Sequence, residues 1–122
     1  MSMVGELKQI VKDLREKSDA DVCAIVSRNG IPIAYDGVDD GQVDTFATLS
    51  ATILGASEVI YTGVQKQKPT RVFAESADGT FLGIPLGRKT LLIIMSGLPK
   101  EDLVDVVEKA TSEITEVLKH GS

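Results

Sequence analysis

The chain has 122 residues, 43% of them hydrophobic and 25% charged, so we expect one globular domain spanning residues 1–122. Its 18 acidic and 13 basic side chains give a net charge of −5, and the basic residues are scattered along the sequence. This disfavours nucleic acid and anionic membranes as partners. Cys23 is the single cysteine, which excludes an intrachain disulfide and a cysteine-based metal framework and favours a reduced, cytoplasmic setting.

Residues 4–17 predict a helix with one apolar face. Apolar residues recur at helical spacing with charged residues between them: Val4, Leu7, Ile10, Val11 and Leu14. The interspersed charges leave no apolar core of signal-peptide length, so we expect no targeting segment here. The longest apolar run of the chain, Leu91 to Met95, is too short to span a bilayer.

Two β-prone runs follow, at residues 22–27 and 31–35, and Asn29-Gly30 lies between them. This dipeptide predicts a hairpin with a type I′ turn, in which both central residues have positive φ. Pro32 cannot donate a backbone hydrogen bond, so we expect the second strand at a sheet edge. Arg28 and Asp36 are expected to be solvated ends of this hairpin.

A long second helix is predicted from an N-cap at Asp44 to about Gln65. One stripe along it consists of large apolar residues: Phe46, Leu49, Ile53, Ile60 and Val64. A second stripe consists of small residues four positions apart: Ala47, Ala51 and Gly55. Because only Glu58 is charged between Thr45 and Gln65, we expect this helix to be covered on two sides.

The stripe of small residues has two interpretations. Small side chains at this spacing permit two backbones to approach closely, which favours a seam between this helix and a helix of a second subunit. The residues predicted for that seam are Ala47, Ser50, Ala51, Leu54, Gly55 and Glu58. In the alternative, which stays open, the small residues let the helix lie close to its own sheet.

Three strands and a helix complete the predicted elements. Residues 71–76 and 80–86 predict a hairpin, because Ala77-Asp78-Gly79 is a turn sequence. Gly87-Arg88 predicts a two-residue turn into residues 89–96, whose continuous apolar run is typical of a central strand buried on both faces.

The last helix is predicted to follow Pro99. The predicted element order is α-β-β-α-β-β-β-α. It indicates an α+β fold of three layers, α/β/α, with a central five-stranded antiparallel sheet.

The segment from Gly83 to Thr90, GIPLGRKT, is close to a phosphate-binding P-loop but has Arg88 in place of the second glycine. A P-loop leads from a strand into a helix, whereas an apolar strand is predicted to follow this segment. Pro85 also lacks the N–H group that a phosphate cradle needs. The segment therefore favours a hairpin over a nucleotide site.

No other residues assemble into a catalytic, cofactor or metal site. His120 lies near the end of the sequence, and Cys23 has no activating histidine near it in sequence. The acidic pairs Asp39-Asp40 and Glu101-Asp102 precede helices, where acidic residues are favoured by the helix dipole alone. We therefore expect a protein that is not an enzyme and that binds no cofactor.

The chain resembles the roadblock family, the dynein light-chain roadblock domain that also occurs in bacterial and archaeal partners of small GTPases. The resemblance rests on three segments: DVCAIVSRNGIPIAYDG at 21–37, VDTFATLSATILGASEVI at 43–60 and GRKTLLIIMSG at 87–97. It implies a profilin-like fold with the second and third strands at the sheet edges. It also implies a homodimer with antiparallel second helices and paired third strands, which adds Arg71, Phe73 and Glu75 to the seam.

Such dimers regulate or scaffold small Ras-like GTPases, so the resemblance implies a non-enzymatic homodimeric GTPase regulator. Thr48, Thr52 and Thr62, beside the second helix's seam, are the predicted contacts with the GTPase. The alternative function is a PAS- or profilin-like sensor with a small molecule between sheet and helix. Bulky side chains on the core-facing stripes favour the interaction module, because a ligand cavity needs unfilled space.

Overall fold

One antiparallel sheet of five strands is the centre of the computed structural model, which describes residues 2–121. The strands are β1 (Ala20–Ser27), β2 (Pro32–Asp36), β3 (Val72–Glu75), β4 (Thr80–Leu86) and β5 (Thr90–Ser96). Their order across the sheet is β2-β1-β5-β4-β3. The apolar strand β5 is central and Pro32 lies on an edge strand, so both predictions are confirmed.

Three helices cover the two faces of the sheet: α1 (Met3–Lys17), α2 (Asp40–Gly63) and α3 (Lys100–Gly121). Helices α1 and α3 pack together on one face, and α2 packs on the other. The three-layer α+β fold and its predicted element order are thus confirmed.

The sheet separates two apolar clusters. The cluster under α1 and α3 includes Leu7, Val11, Leu92, Ile94, Leu103 and Ile114. The cluster under α2 consists of Ala24, Val26, Ala47, Leu54, Leu91 and Ile93. Successive residues of β5 enter opposite clusters because strand side chains alternate, so a central strand covered on both faces must be apolar throughout.

The loop between β1 and β2 differs from the predicted turn. The Gly30 N–H donates to the Ser27 carbonyl at 2.9 Å, and the Ser27 N–H donates to the Ile31 carbonyl at 2.8 Å. Three residues therefore form the loop, and of these only Gly30 has a positive φ, at 85°. The type I′ prediction is wrong, because Asn29 does not adopt the left-handed conformation that this turn requires.

Helix α2 begins before its predicted cap. Asp39 occupies the N-cap position, and its carbonyl accepts hydrogen bonds from the N–H groups of Gln42 and Val43. The prediction of Asp44 as the cap is wrong, because helical hydrogen bonding already includes the residues before it. Next to this end of the helix, the Tyr35 hydroxyl donates to Asp40 Oδ1 at 2.5 Å.

Leu54 of α2 packs directly over Gly83 of β4. A Cβ atom built on Gly83 would overlap Leu54 Cδ2 and would lie 3.4 Å from Ile93 Cδ1. Leu54 is fully buried, so it has no solvent-facing space into which to withdraw. The absent side chain at Gly83 is therefore what allows α2 to lie this close to the sheet.

Candidate functional site

Helix α2 buries one side against its own sheet: Val43, Ala47, Ser50, Leu54 and Glu58. The last four of these belong to the seam that the sequence predicts with a second subunit. They are already covered within one chain, which leaves little of their surface for a second subunit, and their contact with one stays a prediction. The small side chains of Ala47 and Ser50 let α2 approach the sheet, as in the alternative interpretation.

Ala51 and Gly55, the other predicted seam residues of α2, are only partly buried. A Cβ atom added to Gly55 would meet no other atom within 4 Å. Each step of four residues turns about 40° around an α-helix, so the small-residue stripe rotates from the sheet towards solvent. Contact of these two residues with a second subunit stays a prediction.

The large apolar residues of α2 lie on a flank of the helix that its own chain leaves open. The exposed fractions of Leu49, Ile53, Ile60 and Val64 are between 41% and 66%. Phe46 continues the line towards the helix N-terminus and is half-buried. We call these five residues the apolar stripe. Large apolar side chains exposed side by side are typical of an interaction surface.

Length and composition alone would also permit α2 to cross a membrane. Core helices of soluble proteins pass the same test, and α2 contacts β1, β2 and β4. It also carries Glu58, whose side chain is ion-paired to Arg28. Because α2 is built into the domain in this way, we interpret it as a core helix with one uncovered apolar flank.

Strand β3 ends the sheet, and within residues 2–121 it pairs only with β4. Of the residues predicted to join its open edge to a second subunit, Arg71 lies just before the strand and is exposed. Glu75 is exposed at the end of the strand. Phe73 is half-buried towards α3, where Lys100 Nζ lies 4.8 Å from the centre of its ring. Pairing of this edge stays a prediction.

Apolar residues of the sheet connect the apolar stripe to the edge at β3. Val72 of β3 and Phe81 of β4 are half-buried and pack against the cluster under α2, and Phe46 packs against the same cluster. Phe46 of the apolar stripe and these two strand residues are therefore half-buried neighbours of one cluster, which lies between α2 and the sheet.

The predicted GTPase contacts Thr48, Thr52 and Thr62 are all exposed on α2. The Thr52 hydroxyl donates to the Thr48 carbonyl at 2.8 Å, and the Thr62 hydroxyl donates to the Glu58 carbonyl at 3.0 Å. Both hydroxyl oxygens keep lone pairs for a partner. The tip of the β1–β2 hairpin lies beside this surface, because a Cβ atom on Gly30 would stand 2.9 Å from Thr48 Cα.

Both hairpin residues that the sequence describes as solvated ends are ion-paired. Arg28 Nη1 lies 2.5 Å from Glu58 Oε1, which fixes the β1–β2 loop to α2. Asp36 pairs with Arg15, which fixes the end of β2 to α1. The prediction is wrong for both because each partner is distant in sequence and only the fold brings it close.

The residues considered for catalysis do not form a site. Cys23 is fully buried, and burial raises the pKa of its thiol to about 12, which removes the thiolate that a nucleophile needs. His120 Nε2 lies 2.9 Å from Glu116 Oε2 on an exposed part of α3. Among the described residues, no group of three or more His, Cys, Asp or Glu side chains could hold a metal ion.

The segment that resembles a P-loop is the second hairpin. Leu86 pairs with Thr90, and residues 87–89 form the loop between β4 and β5, with φ of 70° at Gly87. The hairpin is confirmed, but the loop has three residues and includes Lys89, so the predicted two-residue turn is wrong. A strand follows Lys89, and the helix N-terminus that a P-loop requires is not at this position.

The family model of the Roadblock/LC7 domain matches residues 6–96. No curated protein matches the chain. Among solved structures, Myxococcus xanthus MglB aligns with a TM-score of 0.89 at 17% identity, covering 98% of this chain and 92% of that one. A Roadblock/LC7 domain from Streptomyces avermitilis aligns with a TM-score of 0.82 at 16% identity, covering 93% and 98%.

Acanthamoeba castellanii profilin IB aligns with a TM-score of 0.61 at 13% identity, covering 90% of this chain and 97% of that one. At such identities the structural matches show the fold. They agree with the profilin-like architecture that the sequence predicts.

Proposed function

Because this chain belongs to the Roadblock/LC7 domain family, we propose that it is a non-enzymatic homodimeric regulator that binds a small Ras-like GTPase. The observation that carries the proposal is the apolar stripe, which is exposed on α2 and whose Phe46 packs against the same cluster as Val72 of the open edge strand β3. A second copy of the chain would cover both features at once. Leu49, Ile53, Ile60 and Val64 then form the centre of the contact, in place of the small residues favoured by the sequence.

The chemistry of α2 supports an antiparallel arrangement of the two copies. Acidic residues lie at its beginning, at Asp39, Asp40 and Asp44, and Lys66 follows its end. Antiparallel packing brings each acidic end towards the basic end of the other copy and opposes the two helix dipoles. It also lets one stripe face the same stripe of the partner, as a two-fold interface requires.

The sensor alternative receives less support from the core. The space between α2 and the sheet is occupied by Ala24, Val26, Leu54, Leu91 and Ile93, which are at most 1% exposed. A small molecule there would have to displace these side chains. The uncovered surface outside α2 fits a protein partner better.

The dimer is tested by sizing chromatography with light scattering on the Ile60→Glu variant. A carboxylate on one of two facing apolar stripes would be buried without a cation, so we expect this variant to be monomeric where the wild type is dimeric. The matched control is Val4→Glu, which places the same charge on an exposed apolar residue of α1, across the sheet. A wild-type monomer at roughly tens of micromolar would refute the dimer.

The GTPase is tested by binding small Ras-like GTPases of the source organism, loaded with GTP or with GDP, to the immobilised protein. We expect binding that depends on the nucleotide and is lost in the variant Thr48→Glu/Thr52→Glu, which keeps the stripe and the dimer. Absence of binding in both nucleotide states would refute a GTPase partner while leaving the dimer intact.

A further inference from the structure

Seven of the 13 basic side chains of this acidic chain lie in three segments that contain no acidic residue. No Asp or Glu occurs in residues 22–35, 59–74 or 79–100. These segments supply the β1–β2 loop, the connection between α2 and β3, and the β4–β5 loop. Basic residues that are scattered along the sequence are thereby gathered by the fold.

The three segments meet around an open surface hollow of about 440 Å³, lined by Arg28, Lys68, Gly87 and Arg88. We call it the basic hollow. Each segment contributes one cationic side chain, and the near P-loop segment contributes Gly87 and Arg88. The positive side chains therefore converge on a cavity with room for a ligand.

Arg28 is the fixed member of the basic hollow. Its backbone N–H donates to the Lys89 carbonyl at 2.9 Å, and its Nη1 lies 2.5 Å from Glu58 Oε1. Its Nη2 is 3.5 Å from the Gly87 carbonyl, and its buried Nε has no hydrogen-bond partner within the described chain. The guanidinium is thus held in place, and the second N–H group of Nη1 and of Nη2 remains as a donor, whereas the buried Nε is out of a ligand's reach.

The charge around the hollow is not balanced. Glu58 neutralises Arg28, but neither Lys68 nor Arg88 has an ion-pair partner within 4 Å among residues 2–121. Both side chains are exposed and can move towards a ligand. A dianionic group would restore the balance.

We propose that the basic hollow binds a phosphate group, carried by a soluble phosphate ester or by a lipid headgroup. Guanidinium groups match the geometry of phosphate oxygens, and a lysine ammonium adds a compact positive charge. The hollow is larger than a phosphate group, so it also admits the group to which the phosphate is attached. Unlike a P-loop, this arrangement uses side chains from three loops and no helix N-terminus.

The basic hollow is separate from the surface assigned to the dimer. Glu58, which holds Arg28, and Ile60 of the apolar stripe are two positions apart, which is about 200° around an α-helix. The Arg28 side of the hollow therefore lies beside the opposite flank of α2, away from the stripe. Phosphate binding does not depend on the proposed dimer, and the monomeric Ile60→Glu variant should retain it.

The test is a titration with inorganic phosphate at constant ionic strength, followed by backbone amide NMR shifts of the full chain. We expect saturable shifts centred on Arg28, Lys68 and Gly87. The variant Lys68→Ser/Arg88→Ser should bind phosphate about tenfold more weakly, because two charge contacts are lost. The matched control Lys8→Ser/Lys12→Ser removes the same charge from exposed positions of α1 and should bind as the wild type does.

Two further arms identify the source and the chemistry of the ligand. Sedimentation with phosphatidylcholine vesicles containing about a tenth phosphatidic acid, against pure phosphatidylcholine, detects a lipid headgroup. Sedimentation that the Lys68→Ser/Arg88→Ser variant loses supports that source, and phosphate shifts without sedimentation support a soluble ester. The proposal is overturned if acetate is bound as tightly as phosphate, if that variant binds phosphate like the wild type, or if neither probe binds.

Discussion

Arg28 and Glu58 are thirty positions apart in sequence, yet their side chains form an ion pair that joins the first hairpin to the C-terminal third of the long helix. The Glu58 side chain is 11% exposed and that of Arg28 is 28% exposed. The pair is therefore partly shielded from water, and loss of one member leaves the other without compensation.

Replacing Glu58 by Gln should lower the free energy of unfolding by about 2 kcal/mol, because Arg28 loses its charged partner in a partly buried position. Urea unfolding measures the change. Glu113→Gln, at an exposed position of α3, is the control and should change stability by less than about 0.5 kcal/mol. A double-mutant cycle with Arg28→Ala and Glu58→Ala should give a coupling of at least about 1 kcal/mol. A coupling near zero would contradict the stabilising role of the pair.

Replacing Gly55 by Ala distinguishes the two stripes of α2. The added methyl group meets no atom within 4 Å in the single chain, and alanine is favoured over glycine in a helix interior. If the dimer forms through the apolar stripe, the variant should stay dimeric and gain about 0.5–1 kcal/mol of stability. Light scattering and thermal unfolding measure both. If this methyl group weakens the dimer, the contact between subunits is made by the small residues of α2 and not by the apolar stripe.

The buried thiol of Cys23 should make the protein less stable at high pH. Its pKa rises from 9.0 to about 12, first of all because burial penalises the thiolate. The contribution of the protonated thiol to the free energy of unfolding is fully present below pH 9. It is lost as the pH rises towards 12, by up to about 1.4 kcal/mol per pH unit. When the free energy of unfolding is measured across this pH range, it should decrease less steeply for Cys23→Ala than for the wild type. Equal slopes would mean that the thiol does not titrate with folding.

The same burial should keep Cys23 unreactive in the native protein. Alkylation by iodoacetamide at neutral pH should be slow and should accelerate in urea in parallel with unfolding. Rapid labelling without denaturant would contradict the burial of the thiol.

The fold was predictable from the sequence because its main signals are local. The continuous apolar run of β5 requires cover on both faces, and Pro32 cannot lie in a central strand. The residues of each of these two strands therefore indicate where the strand lies in the sheet. The turn at Asn29-Gly30 was less predictable. A loop with one left-handed residue and a turn with two both accept this dipeptide, and strand register decides between them.

The side of α2 that meets the sheet could not be predicted from the helix alone. Its sequence contains a stripe of large apolar residues and a stripe of small residues. Which of them faces the sheet depends on residues elsewhere: Gly83 makes room for Leu54, and Arg28 forms an ion pair with Glu58. The basic hollow was not predictable for the same reason, since its three cations come from separate loops. Long-range contacts, which no local pattern contains, determine both surfaces.

The contact between Leu54 and Gly83 makes the sizes of these two positions interdependent. A larger residue at 83 requires a smaller one at 54, so Gly83→Ala should be poorly tolerated alone and better tolerated together with Leu54→Val or Leu54→Ala. Libraries that vary the two positions jointly should recover compensating pairs that single-site libraries miss. The combined side-chain volume at positions 54 and 83 then determines the distance between α2 and the sheet, and this distance can be changed by substituting the two residues together.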